Sequence, residues 1–344
     1  MTNTLKRMSQ YLLSILLMAA FLFWAFHEVD PHALWEAINK ISTKWVCIIV
    51  ATTLGTLIIR ARRWIVLMRP FTRDVTLLQA SLALAICYAA NVFIPRSGEA
   101  VRTLSLHWTC GTSIGSVLGT VFVERTLDML CLVILVGISI MAAREQISGA
   151  FPWMEFVTAA VLVVCLLAIL LFVLISVYQA KAINHVGHLS GRISKRLSSF
   201  ITRFLEAFID GLQALRIRSA YTEIFVLSVL LNAGYLLIIY EAFLAFELTF
   251  PPHSLDLLSS LIVTAISSLG MVVPTAGGIG SYHFFFAESL TLLYSVPTTV
   301  ALACATVVHA IATLTYILSG GPAFFIQRHQ QKTRNKIAAA TKPI

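Results

Sequence analysis

Three stretches of the chain hold residues able to do chemistry. The first reads Asn91-Val92-Phe93-Ile94-Pro95-Arg96-Ser97-Gly98-Glu99-Ala100-Val101-Arg102 and follows directly on the apolar run Leu77–Ile94. Arg96 and Arg102 carry permanent charge and can grip a phosphate bidentately. Glu99 stands one helical turn before Arg102, where the two can also neutralise one another. The second stretch, Glu124-Arg125-Thr126-Leu127-Asp128, lies inside a long apolar run. At i,i+4 its two carboxylates share one helix face, with Arg125 about 100° round. Unpaired in a bilayer, these three charges would cost about 8–10 kcal/mol together. They therefore serve as a bundle-locking ion network, as a relay that re-pairs when an anionic group enters, or as both. A local Arg125–Asp128 pair would leave Glu124 for Arg96 or Arg102.

The third stretch is Pro274-Thr275-Ala276-Gly277-Gly278-Ile279-Gly280. Irregular backbone at membrane depth persists only where it is buried in protein or lines a wet cavity. Both turns, shaped by Asn91, Pro95 and Pro274, are therefore expected to face a cavity. Ser97 and Ser281 are expected to cap the helices that restart after them. Helix N-termini suit phosphate, and glycine lets the backbone approach it. The candidate substrate contacts are thus Arg96, Ser97, Gly98, Arg102, Gly277, Gly278, Gly280 and His283. Glu99, Glu124, Arg125 and Asp128 form the candidate gating network. For His283 a hydrogen-bonded structural role is the competing reading, and His309 is read as structural.

Composition sets the elements that position these residues. The chain has 344 residues, of which 58% are hydrophobic and 12% charged, and its mean hydropathy is +0.86. Several apolar runs reach the ~18 residues of a membrane span, and the alternation of a β-barrel is absent. A single all-α polytopic membrane domain over residues 1–344 is predicted. Tyr11–Phe26 lacks a small-x-small cleavage site and is read as a retained span. The six cysteines form no C-x-x-C pair and sit near no histidine at ligand spacing. No metal, cofactor or catalytic residue is predicted, and G-x-x-x-x-G-K-[ST] does not occur.

The net charge of +9 is concentrated in clusters at residues 6–7, 60–73, 181–218 and 328–342. No soluble module interleaves them with stacking aromatics, which argues against nucleic acid. Basic loops on the inner face explain them. With all apolar runs crossing fully, the 181–218 cluster would lie outside. Re-entrance of residues 75–110 from the inside and of 255–296 from the outside removes the conflict. The predicted topology is six full crossings and two opposed re-entrant helical hairpins, with both termini cytoplasmic. The hairpins echo one another, Ile94-Pro95 then Gly98 against Val273-Pro274 then Gly277, as inverted repeats do. Apolar residues at steps of three and four over 187–217 predict a cytoplasmic amphipathic helix, and 328–344 a basic tail.

On these motifs the chain resembles the lysylphosphatidylglycerol synthetase transmembrane-region family of flippase-like bacterial membrane proteins. The resemblance rests on Asn91…Ile94-Pro95-Arg96-x-Gly98-Glu99-x-x-Arg102, on Glu124-Arg125-x-x-Asp128, and on Pro274-x-x-Gly277-Gly278-x-Gly280. It implies re-entrant helices and movement of anionic or modified phospholipids between leaflets. Two departures matter. The soluble domain that transfers amino acids from aminoacyl-tRNA is expected to be absent, since no such domain lies within residues 1–344. Tyr282-His283 stand where the family often has an acidic residue. The expectation is a lipid translocase rather than an enzyme, with membrane lipids as partners. A second copy or an envelope enzyme is left open as a further partner. The alternatives are an integral-membrane enzyme acting on a lipid or polyprenyl phosphate and a non-transporting envelope scaffold.

Overall fold

Each helix boundary has a local cause. In the computed structural model, which describes residues 2–27, 29–94, 97–177, 199, 202–204, 206–207 and 218–340, helix α1 (Thr2–Phe26) gives way to α2 (Pro31–Asn39). The Asp30 carboxylate accepts from the His32 N–H at 3.0 Å, and Pro31 opens α2, where a missing N–H costs nothing. Next come α3 (Thr43–Met68) and α4 (Leu77–Phe93), the latter started by a Thr76/Gln79 capping box. Helix α5 (Gly98–Cys110) stops at Gly111, which takes φ +74°. The chain continues through α6 (Ile114–Ala142), α7 (Arg144–Ala150), α8 (Met154–Val177) and α9 (Arg218–Ala245). Asp256 caps α10 (Leu257–Val272), and a 3-10 turn (Ala276–Gly278) leads to α11 (Ser281–Tyr294) and α12 (Thr298–Ala340). The predicted basic tail is thus helical as far as Ala340. The amphipathic helix predicted over 187–217 lies mostly outside the described residues.

Three of the described helices are long and apolar enough to cross a membrane, over Thr43–Met68, Ala220–Ala245 and Thr298–Arg334. The α1–α2 pair, bent by 83°, supplies a fourth if it is one span. Large apolar side chains such as Phe156, Leu166, Phe225, Val229, Leu318 and Phe325 point outward, as lipid contact requires. Lipid tails are as apolar as leucine, so helix association here depends on close packing and polar contacts. Gly234 of α9 receives Thr56 of α3, and Gly320 of α12 lies against the Ala85 backbone of α4.

Two runs of elements follow the same order, a long helix, two short packed helices and a second long helix. The first is α3, α4–α5, α6; the second is α9, α10–α11, α12. Their packing is reciprocal: α3 lies along α9, α4 along α12, and α10 along α6. Each short pair also starts and finishes at one end of the bundle. Gln327 of α12 reaches both the Gln79 carbonyl at the start of α4 and the Ser105 hydroxyl in α5. Arg334 then donates to the carbonyls of His107 and Trp108 at the end of α5. For the second pair, His253 just before α10 meets the Tyr294 carbonyl at the end of α11. Arg69 at the end of α3 pairs with Glu223 near the start of α9. Helices α3 and α9 are therefore antiparallel, and the two pairs open at opposite ends. The tips meet: a Cβ on Gly277 would stand 3.6 Å from Val92 Cα.

Candidate functional site: a buried arginine and carboxylate cluster

Helix α6 turns Glu124 and Asp128 toward α3 and α5. Glu124 is fully buried; its Oε1 accepts from Arg60 Nη1 at 2.7 Å and its Oε2 from Arg102 Nη1 at 2.8 Å. Asp128 Oδ1 accepts from Arg63 Nη2 at 2.5 Å, while Oδ2 lies 3.1 Å from Arg60 Nη1. Arg63 also stands 3.8 Å from Glu124. Arg125, on the adjacent face, pairs with Glu99 at 3.2 Å and lies 3.7 Å from Asp128. Buried ion pairs hold only when further hydrogen bonds satisfy the remaining donors. Arg60 Nη2 donates to the Tyr235 hydroxyl and Arg63 Nη1 to Ser228 Oγ, both at 3.1 Å. The Arg102 guanidinium lies over the Trp64 indole, 4.7 Å from the ring centre, a favourable cation–π placement.

Satisfaction is incomplete, and the charges do not cancel. Arg60, Arg63, Arg102 and Arg125 face three carboxylates, Glu99, Glu124 and Asp128. The cluster carries one excess positive charge. Arg102, though fully buried, has Nε and Nη2 without a partner, and the Nε atoms of Arg60, Arg63 and Arg125 are also unpaired. Arg125 and Glu99 form the accessible edge, with 39% and 27% of their side chains exposed.

The predicted residues are distributed unevenly. Pro95 and Arg96 lie outside the described residues. The predicted capping by Ser97 is not found: its hydroxyl donates back to the Ile94 and Ala90 carbonyls. The Gly98 N–H is instead met by Asn91 Oδ1 at 2.7 Å. Backbone restarting in the αR region at Ser97 leaves the serine pointing toward α4. Ser281 is likewise the first residue of α11 rather than its cap, and bonds to Thr275 Oγ1 and the Gly278 carbonyl. Glu99 and Arg102 do not pair with each other; each reaches a partner on α6. Of the two arginines open to Glu124, Arg102 is found on it.

In the glycine turn, Gly277 touches the first turn, and Gly278 lies against Met271 and His309. Gly280, at φ +86°, packs on the α1 backbone, with Met18 O 2.8 Å from where a Cβ would be. The Pro274 carbonyl accepts from Ser14 of α1 at 2.6 Å. Gly280 thus permits the close approach of α1, while Gly277 and Gly278 take the positive φ of the turn. His283 is buried and stacks on His309 at 4.8 Å. Among the described residues no hydrogen bond or ion pair joins this histidine pair to the arginine cluster.

Sequence reasoning missed Arg60, Arg63, Tyr235 and Ser228, the first two having been assigned to a juxtamembrane basic cluster. A signal was present. Thr53, Thr56, Arg60, Arg63 and Leu67 recur at three and four and are buried, whereas Arg62, off that stripe, is exposed.

A family model described as "Lysylphosphatidylglycerol synthase TM region" matches residues 11–320. Comparison with curated proteins returned no match.

Proposed function

The chain belongs to the lysylphosphatidylglycerol synthase TM region family, and from that premise we propose that it moves a phosphate-bearing lipid between the leaflets of a bacterial inner membrane. The observation that carries this reading is the uncompensated positive charge of the arginine cluster, together with the unpartnered Nε and Nη2 of Arg102. Buried donors left unpaired cost about 1–3 kcal/mol each. One phosphate would take up both the spare donors and the excess charge. Arg125 and Glu99 form the exposed edge at which a head group arrives. The Arg125–Glu99 pair opens, and Glu124 and Asp128 hold the remaining arginines in place.

The topology goes with this function. Helices α4, α5, α10 and α11 have 17, 13, 16 and 14 residues. At 1.5 Å per residue none exceeds about 26 Å, short of the ~30 Å apolar core of a bilayer. Together with their opening at opposite ends, this supports two opposed re-entrant hairpins among six crossings. The Arg69–Glu223 and Arg334–α5 contacts bring the 60–73 and 328–342 clusters to one end of the bundle. Basic residues favour the cytoplasmic side, so that end faces the cytoplasm and both termini lie there. Transport, with no covalent chemistry, is the activity.

The test is reconstitution into liposomes with a panel of fluorescent anionic lipids, scoring exchange by quenching of the outer leaflet. Exchange of at least one phosphate-bearing lipid is expected, reduced by Arg125→Gln without loss of folded yield. Exchange no faster than in protein-free liposomes across the panel would overturn the reading.

A further inference from the structure

A carboxylate outside the arginine cluster stands in a position that calls for a role. Glu241 belongs to α9, one turn before its end, within the span Ala220–Ala245. Its Oε1 accepts from Thr52 Oγ1 of α3 at 2.6 Å, and its Oε2 is sheltered with no partner. Among the described residues no cation lies within ion-pair distance of it. Every other acidic side chain of the buried site has at least one arginine within 4 Å. An ionised carboxylate in a span without a counter-charge costs about 2.5–3.5 kcal/mol. Taking up a proton removes that cost.

The surroundings leave the proton as the ligand. Helix α10, packed on α9, has no ionisable side chain (Leu257–Val272). Helix α3 offers Cys47 and Lys44, one to two turns before Thr52, with Lys44 over the Trp45 ring, and Arg60 and Arg63, two turns and more beyond it and already paired with Glu124 and Asp128. From α6 those same two carboxylates face the seam, while Arg125 turns to Glu99 of α5. Helix α12 offers His309 and Tyr316, and α9 itself Tyr235 and Tyr240. The α3–α9 seam is polar along its length, with Thr52 on Glu241, Arg60 on Tyr235 and Arg63 on Ser228. It is also the contact between the first helices of the two repeated runs. A charge change there acts where those runs must move against each other.

We propose that Glu241 is a proton-binding site, loaded from the end of the bundle away from the basic clusters, whose protonation couples the movement of the two halves to a proton gradient. The proton adds to Oε2 while Thr52 continues to donate to Oε1, so the neutral carboxyl keeps its one hydrogen bond and carries no charge. Ionised carboxyls inside transporter spans mark such proton relays. The coupling rests on the translocase reading; the protonation does not.

Two measurements on the full chain separate them. Infrared difference spectra over a titration kept above about pH 6, where exposed carboxylates stay ionised, should show a protonated-carboxyl carbonyl band that comes and goes in the wild type. It should be absent from both Glu241→Gln and Glu241→Ala. A band that persists in either folded variant, or a wild type with no titrating band, overturns the site. In liposomes, a one-unit pH gradient should change wild-type lipid exchange by up to about tenfold per proton moved. The ratio with and without the gradient should fall to one in Glu241→Gln. An unchanged ratio in the variant overturns the coupling. Absence of any wild-type exchange removes the transport reading and the coupling with it, and the site is then decided by the infrared band.

Discussion

Glu124→Gln is the sharpest test of the arginine cluster. The carboxylate is fully buried and lies within 4 Å of three arginines, Arg60, Arg102 and Arg63. Glutamine has nearly the same shape and keeps one acceptor oxygen. Its amide nitrogen is a donor, however, so it must confront a guanidinium with N–H against N–H. The cluster's excess of one positive charge becomes two. Removing one partner of a buried pair typically costs about 3–5 kcal/mol, because the other charge is left uncompensated. Large domains lose about 2 °C of Tm per kcal/mol, so a drop of about 6–10 °C is expected at fixed scan rate in one detergent. Glu99→Gln breaks a pair with more than a quarter of each side chain exposed. It should cost no more than about 1 kcal/mol. Arg102→Gln should be harmful alone, and the Glu124→Gln/Arg102→Gln double variant should fall short of the sum by about 0.5–3 kcal/mol. If Glu124→Gln lowers Tm no more than Glu99→Gln, or if the cycle is additive, the buried-pair reasoning is wrong.

Three further outcomes are expected. Arg60→Lys should destabilise measurably, because one ammonium cannot reach Glu124, Asp128 and the Tyr235 hydroxyl together as the guanidinium does; a Tm equal to wild type would contradict the bridging role. Gly280→Ala should lower Tm and loosen α1, since a Cβ there meets the Met18 carbonyl at 2.8 Å and φ is +86°; hydrogen exchange of α1 amides is the readout. The Asp256 carboxyl is held below the usual carboxylate range by the Ser259 backbone N–H and by the Ser259 hydroxyl. Asp256→Ala should therefore cost about 1 kcal/mol at neutral pH. That difference should persist down to about pH 4 and shrink below it, as the depressed group is protonated; a difference that grows in acid would reverse the sign.

Several features were legible in the sequence because they depend on counts and local pattern. Mean hydropathy and run length specify an all-helical membrane chain, since a bilayer admits little else. Pro, Gly and charge after Ile94, and glycines after Pro274, mark two breaks, and the structure places a turn at each. Glu124 and Asp128 share a face because helical periodicity puts i and i+4 there. Less was legible wherever a residue's role depends on what faces it. Ser97 looked like a cap by type and position, but the angle at which α5 leaves the turn aims it at α4, and Asn91 takes the Gly98 N–H. Arg60 and Arg63 counted toward a basic loop because a charge count ignores helix phase. Arg62, between them, does lie outside the cluster.

The sequence by itself determined the class, the breaks and the charged residues that a bilayer would not leave unpaired, because these follow from transfer cost and periodicity along one helix. Only the tertiary structure decided the pairing: Arg102 and Arg60 on Glu124, Arg63 on Asp128, Arg125 on Glu99, and Glu241 with no cation among the described residues. Partner choice depends on which helices pack side by side and in which rotation. The low dielectric then turns a difference of a few ångströms into the difference between a neutralised charge and a free one.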